Sequence, residues 1–377
     1  MIPFNKPFLT GKETEYIVEA VNSGHISGNG VFTKRCHKFF TEKYNFHKVL
    51  LTTSCTDALE MCALLLDIQP GDEVIVPSYT FVSSALAFVR QGAKIIFTDS
   101  LSNHPNMDVD KVENLITEKT KAIVPVHYAS MAVEMDKLMK IANKYGIYVV
   151  EDAAQAINTF YKDKPLGGIG HLGAYSFHET KNIISGEGGM LIINDKSMAD
   201  RAEVLWEKGT NRASFFRGEV NKYGWVDTGS SFLPSEITAA FLYAQLEKMD
   251  MIQRNRVSIW NLYNDGLSEL EKQGKIKLPI VPEHSTNNGH MFYIICKSLN
   301  ERTKLISFLK ERNILSVFHY LSLHKSEFYS KSNVVPELSM SDYYTDHLLR
   351  LPFYFELTDD EVIKVIETVI EFYNNIK

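Results

Sequence analysis

Short apolar runs alternate with amphipathic stretches through the first two-thirds of the chain, and this alternation narrows the possible folds more than any other feature. The runs are residues 49–52, 74–77, 94–99, 122–127, 148–152 and 174–177, with 189–194 as a seventh. Each is brief, nearly continuous in apolar residues, and bounded by Gly, Pro, Asp or Ser, as a strand buried on both faces should be. Residues 57–66, 83–91, 110–116 and 134–145 read as helices between them. The alternation predicts an α/β fold, with a mostly parallel seven-stranded sheet flanked by helices.

From about Leu246 the texture changes. A long helix over 239–270 leads into HMFYIICK, a helix over 301–313, the run SVFHY and a final helix over 359–376. Two or three strands packed by helices make a smaller C-terminal α+β domain. The expected division is 1–250 and 251–377, with the N-terminal segment able to pack on the smaller domain. Forty Lys+Arg against 46 Asp+Glu give a net charge of −6, and no basic run stands out. A general nucleic-acid or membrane-surface binder is therefore not expected. No apolar stretch approaches the roughly 20 residues of a membrane span, and the first residues lack the order of a signal peptide. These points favour the cytoplasm.

Several motifs are excluded by context. Gly168-Ile169-Gly170-His171-Leu172-Gly173 has the letters of a dinucleotide fingerprint but precedes a strand instead of following one, so it reads as a turn. His178-Glu179 lacks the second histidine of a zinc protease, no GxxxxGK is present, and the four cysteines show no metal spacing. No metal is expected.

Three segments carry the chemistry, each where a parallel strand ends and ligands of such sheets gather. In Thr52-Thr53-Ser54-Cys55-Thr56-Asp57 a strand turns directly into an apolar helix, whose free N–H groups, with the Ser54 and Thr56 hydroxyls, suit an anion. An ordinary helix cap is the plain alternative. In Val150-Glu151-Asp152-Ala153-Ala154-Gln155 a strand ends in an acid followed by small residues. In Phe177-His178-Glu179-Thr180-Lys181-Asn182 a lysine follows a strand and precedes the glycine-rich Gly186-Glu187-Gly188-Gly189. Phosphate site, acid and lysine are what a pyridoxal 5′-phosphate (PLP) enzyme needs: a lysine for the Schiff base and an acid for the ring nitrogen. A free lysine titrates at about 10.4, so this one needs desolvation or nearby positive charge to act as a base.

TSCTDALEM, PSYTFVS, VVEDAAQ, SFHETKN and GEGG together resemble the nucleotide-sugar aminotransferases of the DegT/StrS type, members of PLP fold type I, over essentially the whole chain. The resemblance implies the aspartate-aminotransferase fold and a homodimer with active sites at the subunit interface. It implies PLP cycling through pyridoxamine phosphate, with Lys181 as the covalent anchor and proton shuttle and Asp152 on the pyridine nitrogen. Gln155 would contact the ring hydroxyl side and Phe81 would stack on the ring, although a core phenylalanine is the plain reading of Phe81. Backbone N–H groups of Cys55 and Thr56 and the Ser176 hydroxyl would hold the phosphate. Many relatives carry an asparagine that reaches the neighbouring subunit's phosphate; Ser231 takes its place here. A sugar dehydratase of the family has His in place of Lys181, so Lys181 argues against that activity.

On the substrate side, Arg212, Phe215, Arg217 and Tyr223 mix cations with aromatics, as a nucleotide diphosphate and its base require. A solvated loop with packed aromatics is the equal alternative. His319, Tyr320 and His324 resemble a family element near the active site, and a structural role for both histidines is equally open. The expected reaction is transamination at C4 of dTDP-4-keto-6-deoxy-D-glucose with L-glutamate as donor, giving dTDP-4-amino-4,6-dideoxy-D-galactose and 2-oxoglutarate for surface-glycan synthesis of the enterobacterial-common-antigen or O-antigen type. The gluco epimer and a C3 reaction on a 3-keto sugar are alternatives on the same scaffold. A non-catalytic PLP or nucleotide-sugar binding regulator is the reading from another class, and an intact Lys181 and Asp152 weigh against it.

Overall fold

Seven strands form the central sheet of the computed structural model, which describes residues 1–375. They are β1 (Lys48–Thr52), β2 (Glu73–Pro77), β3 (Lys94–Thr98), β4 (Thr120–Ile123), β5 (Tyr148–Asp152), β6 (Leu172–Ser176) and β7 (Gly189–Ile193). Their order in space is β1-β7-β6-β5-β4-β2-β3. Only β7 runs against its neighbours, β1 and β6. Successive side chains leave a strand on opposite faces, and here both faces meet apolar cores. Val49, Leu51, Ile75, Ile123, Val149, Tyr175 and Ile192 enter one core. Leu50, Val74, Val76, Ala122, Val150, Ala174 and Leu191 enter the other. That two-sided burial is why the strands read as continuous apolar runs.

One strand ends earlier than its sequence suggests. The apolar run 122–127 keeps strand structure only to Ile123. Pro125 has no N–H to donate to a ladder, and beyond it the chain touches the sheet through one isolated bridge, Val126 to Asp152. The expected helix over 239–270 is two helices, α4 (Glu236–Leu246) and α5 (Met249–Lys272). Lys248 leaves helical geometry at φ −110°, ψ 8°, and no Gly or Pro marks the break.

The segment after α5 builds a three-stranded sheet from β8 (Tyr293–Ile295), β9 (Val317–Phe318) and β10 (Leu348–Arg350). Ile259, Trp260, Tyr263, Phe292, Ile294, Leu309, Val362 and Val365 form a third core there. Ile2 joins that core, its N–H donating to Asn313 O at 2.8 Å and its carbonyl accepting from Leu315 N–H at 3.0 Å. The closing helix spans Asp359–Asn375, and the expected end at Ile376 lies outside the described residues. Among the described residues no helix is long and apolar enough to cross a membrane.

Two buried polar contacts fix the start of the chain against the sheet. Helix α2 (Val31–Tyr44) has no cap of its own. The buried carboxylate of Glu236 on α4 accepts from Gly30, Phe32 and Thr33 N–H at 2.9, 2.7 and 3.1 Å, placing a negative charge on the positive end of the helix dipole. Glycine at position 30 leaves the carboxylate room to reach these N–H groups, since a Cβ there would lie 2.6 Å from the Glu236 carboxyl carbon. Further along α2, His37 Nε2 accepts from Leu51 N–H at 2.9 Å and so covers the free edge of β1.

Burial and the neighbouring Lys48 push His37 down to about 4, and burial with the nearby His284 pushes His104 down to about 3. The unfolded chain takes up these protons near pH 6.5 and the folded chain does not, so stability is lost as pH falls from about 6.5 toward 4. Chemical denaturation at pH 7 and pH 5 should show this loss, with His37 accounting for up to about 2 kcal/mol. His37→Gln keeps an acceptor for Leu51 N–H and should flatten the dependence by that share; an unchanged slope rejects the assignment.

Candidate active site

The segments that follow β1, β2, β5 and β6 converge on one cavity of about 420 Å³. Ten of the residues singled out from sequence line it: Ser54, Cys55, Thr56, Phe81, Asp152, Gln155, Ser176, Lys181, His319 and Tyr320. Nothing closer than the strand order explains their meeting, since they span 267 positions (320 − 54 + 1) of the sequence.

After β1 the chain turns at Ser54, in extended conformation, into α3 (Cys55–Leu65). Ser54 Oγ accepts from Asp57 N–H at 3.1 Å and donates to the Asp57 carboxylate at 3.0 Å. The hydroxyl expected to serve a ligand is thus engaged as the helix cap. The first N–H groups of a helix have no partner within it, which leaves those of Cys55 and Thr56 at the cavity wall, where the dipole favours an anion. The Thr56 hydroxyl shares a hydrogen bond of 2.8 Å with Ser83 Oγ, and both residues line the cavity. Gly189, at the start of β7, lies beneath this turn. A Cβ there would stand 2.3 Å from Ser54 C and 2.4 Å from Cys55 N, so only glycine lets α3 begin here.

Asp152 ends β5 with its carboxylate almost wholly enclosed. Ser84 Oγ donates to Oδ2 at 2.7 Å and Ala154 N–H to Oδ1 at 3.1 Å. Among the described residues it has no ion-pair partner. Gln155 Oε1 accepts from Ala129 N–H at 2.6 Å, and its Nε2 donates to Tyr320 Oη at 3.3 Å. Phe81 is no core residue: it is 56% exposed, with its ring 6.1 Å from that of Tyr320. Its exposed ring gives the cavity wall a flat apolar face on which another flat group can stack.

Lys181 sits in the turn after β6, its N–H donating to His178 O at 2.9 Å. Among the described residues its amine has no hydrogen-bond or ion-pair partner. Burial pushes Lys181 below the ordinary amine range, and the Arg350 guanidinium pushes the same way against Cys55 and Asp152. Burial and the charges of Arg350 and Lys181 hold His319 well below its usual value, so it stays neutral and shares a 3.0 Å hydrogen bond with Tyr128 Oη. His290 is likewise held neutral by burial and by Lys181 and Arg350.

Other expected residues lie elsewhere in the chain. Ser231, Arg212 and Arg217 line a second cavity, of about 730 Å³, together with His25, Lys34 and Lys208. Arg217 is occupied there by Glu203 and Glu219, both at 2.7 Å. Phe215 and Tyr223 pack on each other with ring centroids 5.6 Å apart and line neither cavity. His324 is fully buried and bonds Ser78 Oγ at 2.7 Å, tying the 319–326 loop to the end of β2. Sequence reasoning missed His178, His290 and Arg350, which all line the first cavity. His178 stood inside a motif already singled out, and His290 opens the apolar run HMFYIICK. Arg350 ends a strand of only three residues, too short for any periodicity to reveal.

Comparison with known proteins identifies the chain's relatives. The family model for the DegT/DnrJ/EryC1/StrS aminotransferase family matches residues 7–370. The chain is 32% identical to the spore coat polysaccharide biosynthesis protein SpsC of Bacillus subtilis, covering 98% of this chain and 96% of that one. It is 31% identical to the GDP-perosamine synthase of Escherichia coli O157:H7, covering 99% of both. Among solved structures, Spr1654 of Streptococcus pneumoniae, described as a sugar aminotransferase, superposes with a TM-score of 0.92 in its PMP form, at 26% identity over 99% of both chains. Its PLP form gives 0.91 at 27% identity, covering 99% of this chain and 98% of that one. An unpaired lysine, an enclosed carboxylate, a bare aromatic plate and a helix N-terminus in one cavity have the chemistry that PLP requires, and the chain belongs to the DegT/DnrJ/EryC1/StrS family of PLP-dependent sugar aminotransferases.

Proposed function

We propose that the enzyme transfers the amino group of L-glutamate to C4 of dTDP-4-keto-6-deoxy-D-glucose, giving dTDP-4-amino-4,6-dideoxy-D-galactose for a surface glycan, and that it does so in the cytoplasm. The observation that carries the aminotransferase part is the convergence of Lys181, Asp152, Phe81 and the start of α3 on one cavity. The choice of sugar rests on the sequence motifs. Two relatives named GDP-perosamine synthase, at 31% and 28% identity, favour a GDP-linked keto sugar as the second reading.

PLP, when bound, supplies an electron sink that makes the Cα proton of an amino acid removable. The residues then divide the remaining work. Cys55 and Thr56 N–H, with the Ser176 hydroxyl, hold the phosphate. Asp152 keeps a proton on the ring nitrogen, and Phe81 and Gln155 orient the ring. Lys181 Nζ would anchor the cofactor and, once the donor amine has displaced it, would take the proton from the donor Cα and later return one to C4 of the sugar. Its lowered basicity suits a group that must both accept and release a proton near neutrality. In a homodimer, Ser231 and the cationic and aromatic residues Arg212, Phe215, Arg217 and Tyr223 serve the partner subunit's cavity, with His319 and Tyr320 on the substrate side of their own.

Three measurements test the reading. Incubation with PLP, L-glutamate and either dTDP- or GDP-linked 4-keto-6-deoxy sugar, followed by NMR of the product, should give an axial 4-amine on the dTDP sugar. An equatorial amine identifies the gluco epimer, and turnover of the GDP sugar alone establishes the second reading. Lys181→Ala should lower turnover by about 10³-fold or more and abolish the borohydride-stable adduct, whereas labelling at another lysine sinks the assignment. Gly189→Ala should push the start of α3 outward and weaken PLP binding by about 10–100-fold. Cofactor titration with unchanged affinity would mean that this turn does not hold the phosphate.

A further inference from the structure

His290 lines the same cavity as Lys181 and takes no part in the division of work above. Its ring is held by a chain of buried amides whose orientations follow from one another. Gln253 Nε2 donates to Ile157 O at 3.1 Å, so its Oε1 is the end that meets Asn182. Asn182 Nδ2 then donates to Gln253 Oε1 at 2.8 Å and to Asn288 O at 2.9 Å. Both amide hydrogens are spent, and Asn182 Oδ1 is left to face His290 Nδ1, 3.0 Å away. An amide oxygen accepts and cannot donate, so the proton of the neutral imidazole sits on Nδ1. Turning Asn182 over would set acceptor against acceptor inside the core, where Asn182, Gln253 and His290 are 4%, 5% and 4% exposed.

The other ring nitrogen, Nε2, is therefore a lone-pair acceptor, and among the described residues it has no hydrogen-bond partner. It stays an acceptor, because burial opposes protonation of the ring, and so do the neighbouring Lys181, Arg350, Arg256 and His319, with Lys181 the strongest of these. The Lys181 amine is its complement, enclosed in the same cavity with N–H groups to give and no partner among the described residues. Other polar groups on the wall are already engaged. His319 bonds Tyr128, Gln155 bonds Ala129 and Tyr320, and Asp152 accepts from Ser84 and Ala154. A buried polar group left unmet is costly, and here an unmet acceptor and an unmet donor share one enclosed space. A neutral amine that gives one N–H to a fixed acceptor also has its lone pair fixed in direction, which is what a positioned base needs.

We propose that His290 Nε2 accepts an N–H from the Lys181 amine once that amine is released from the cofactor, and so sets the direction of its lone pair. No proton passes to His290. It is a positioning residue, tied through Asn182 to the very turn that carries the lysine. The inference rests on Lys181 as the proton carrier and adds what orients it. The rival use of the same acceptor is a hydroxyl of the sugar, and the test separates the two.

Nitrogen NMR of protein labelled at its histidine rings and loaded with pyridoxamine phosphate, the state in which Lys181 is free, reads the tautomer without turnover. The His290 signals are identified by their loss in His290→Asn or His290→Gln, so one folded variant is sufficient. They should show the proton on Nδ1, and Lys181→Met should move the Nε2 signal toward that of an unbonded acceptor. A proton on Nε2 overturns the proposal, as does an Nε2 signal that ignores Lys181→Met or moves only when the keto-sugar nucleotide is added. Single-turnover kinetics should agree. His290→Asn keeps a donor for Asn182 but ends short of the cavity, and should slow removal of the Cα proton of L-glutamate by about tenfold or more, with the half-saturating concentration within twofold. His290→Gln carries an acceptor further out and should recover most of the lost rate. A ring that serves only the packing of Asn182 predicts the reverse order, and that order overturns the proposal. Absence of amino transfer to the dTDP-linked sugar would instead overturn the substrate, and the NMR would still decide the role of His290.

Discussion

The buried carboxylate of Glu151 is the contact on which the geometry of the cavity floor depends. A carboxylate with no solvent exposure is tolerated only when its charge is met by donors. Here Gly167, Ile169 and Gly170 N–H donate to it at 2.8, 2.6 and 2.6 Å, and His127 Nε2 stands 3.0 Å away. His127 in turn donates its own N–H to Asp152 O at 3.2 Å. One charge thus locks the 167–170 loop, the turn after β4 and the end of β5 into a single body. Because neighbours on a strand face opposite sides, fixing Glu151 below the sheet end fixes Asp152 above it, where it meets the cavity.

This arrangement also accounts for the glycines whose letters imitate a dinucleotide fingerprint. Gly167 holds a left-handed φ of +88°, and a Cβ on Gly173 would fall 2.3 Å from its carbonyl oxygen. The loop is an anion cradle after all, but the anion is a side chain of the same protein. Context read from sequence was sufficient to reject the nucleotide, since the run enters a strand at Leu172 instead of opening a helix. It could not reveal Glu151 as the occupant, because that pairing joins residues 16–19 positions apart through tertiary packing.

The same distinction governs the rest of the site. Lys181, Asp152 and the Ser54–Thr56 turn were legible because each follows a buried strand, and a parallel sheet delivers all such ends to one edge. The seven strands were legible because both faces of each meet a core. Signals failed where structure depends on distant contacts. The break between α4 and α5 carries no Gly or Pro, and the Ser54 hydroxyl is claimed by Asp57, a competition that local sequence permits but does not decide. His290 and Arg350 reach the cavity from segments 109 and 169 residues beyond Lys181 (290 − 181 and 350 − 181).

Charge in the cavity follows from which groups can afford to ionise when enclosed. His290 and His319 cannot, since burial and two adjacent cations both oppose their protonation. They act as neutral hydrogen-bonding walls, and the positive charge is concentrated on Arg350 and, when protonated, Lys181. Asp152 lines the same cavity, its two oxygens accepting from Ser84 Oγ and Ala154 N–H. The lowered basicity of Lys181 comes first from its burial, with the Arg350 guanidinium adding to it and Cys55 and Asp152 opposing it. An enclosed amine beside a fixed guanidinium is therefore held closer to neutrality than one in water, because desolvation and a like charge both disfavour its protonated form.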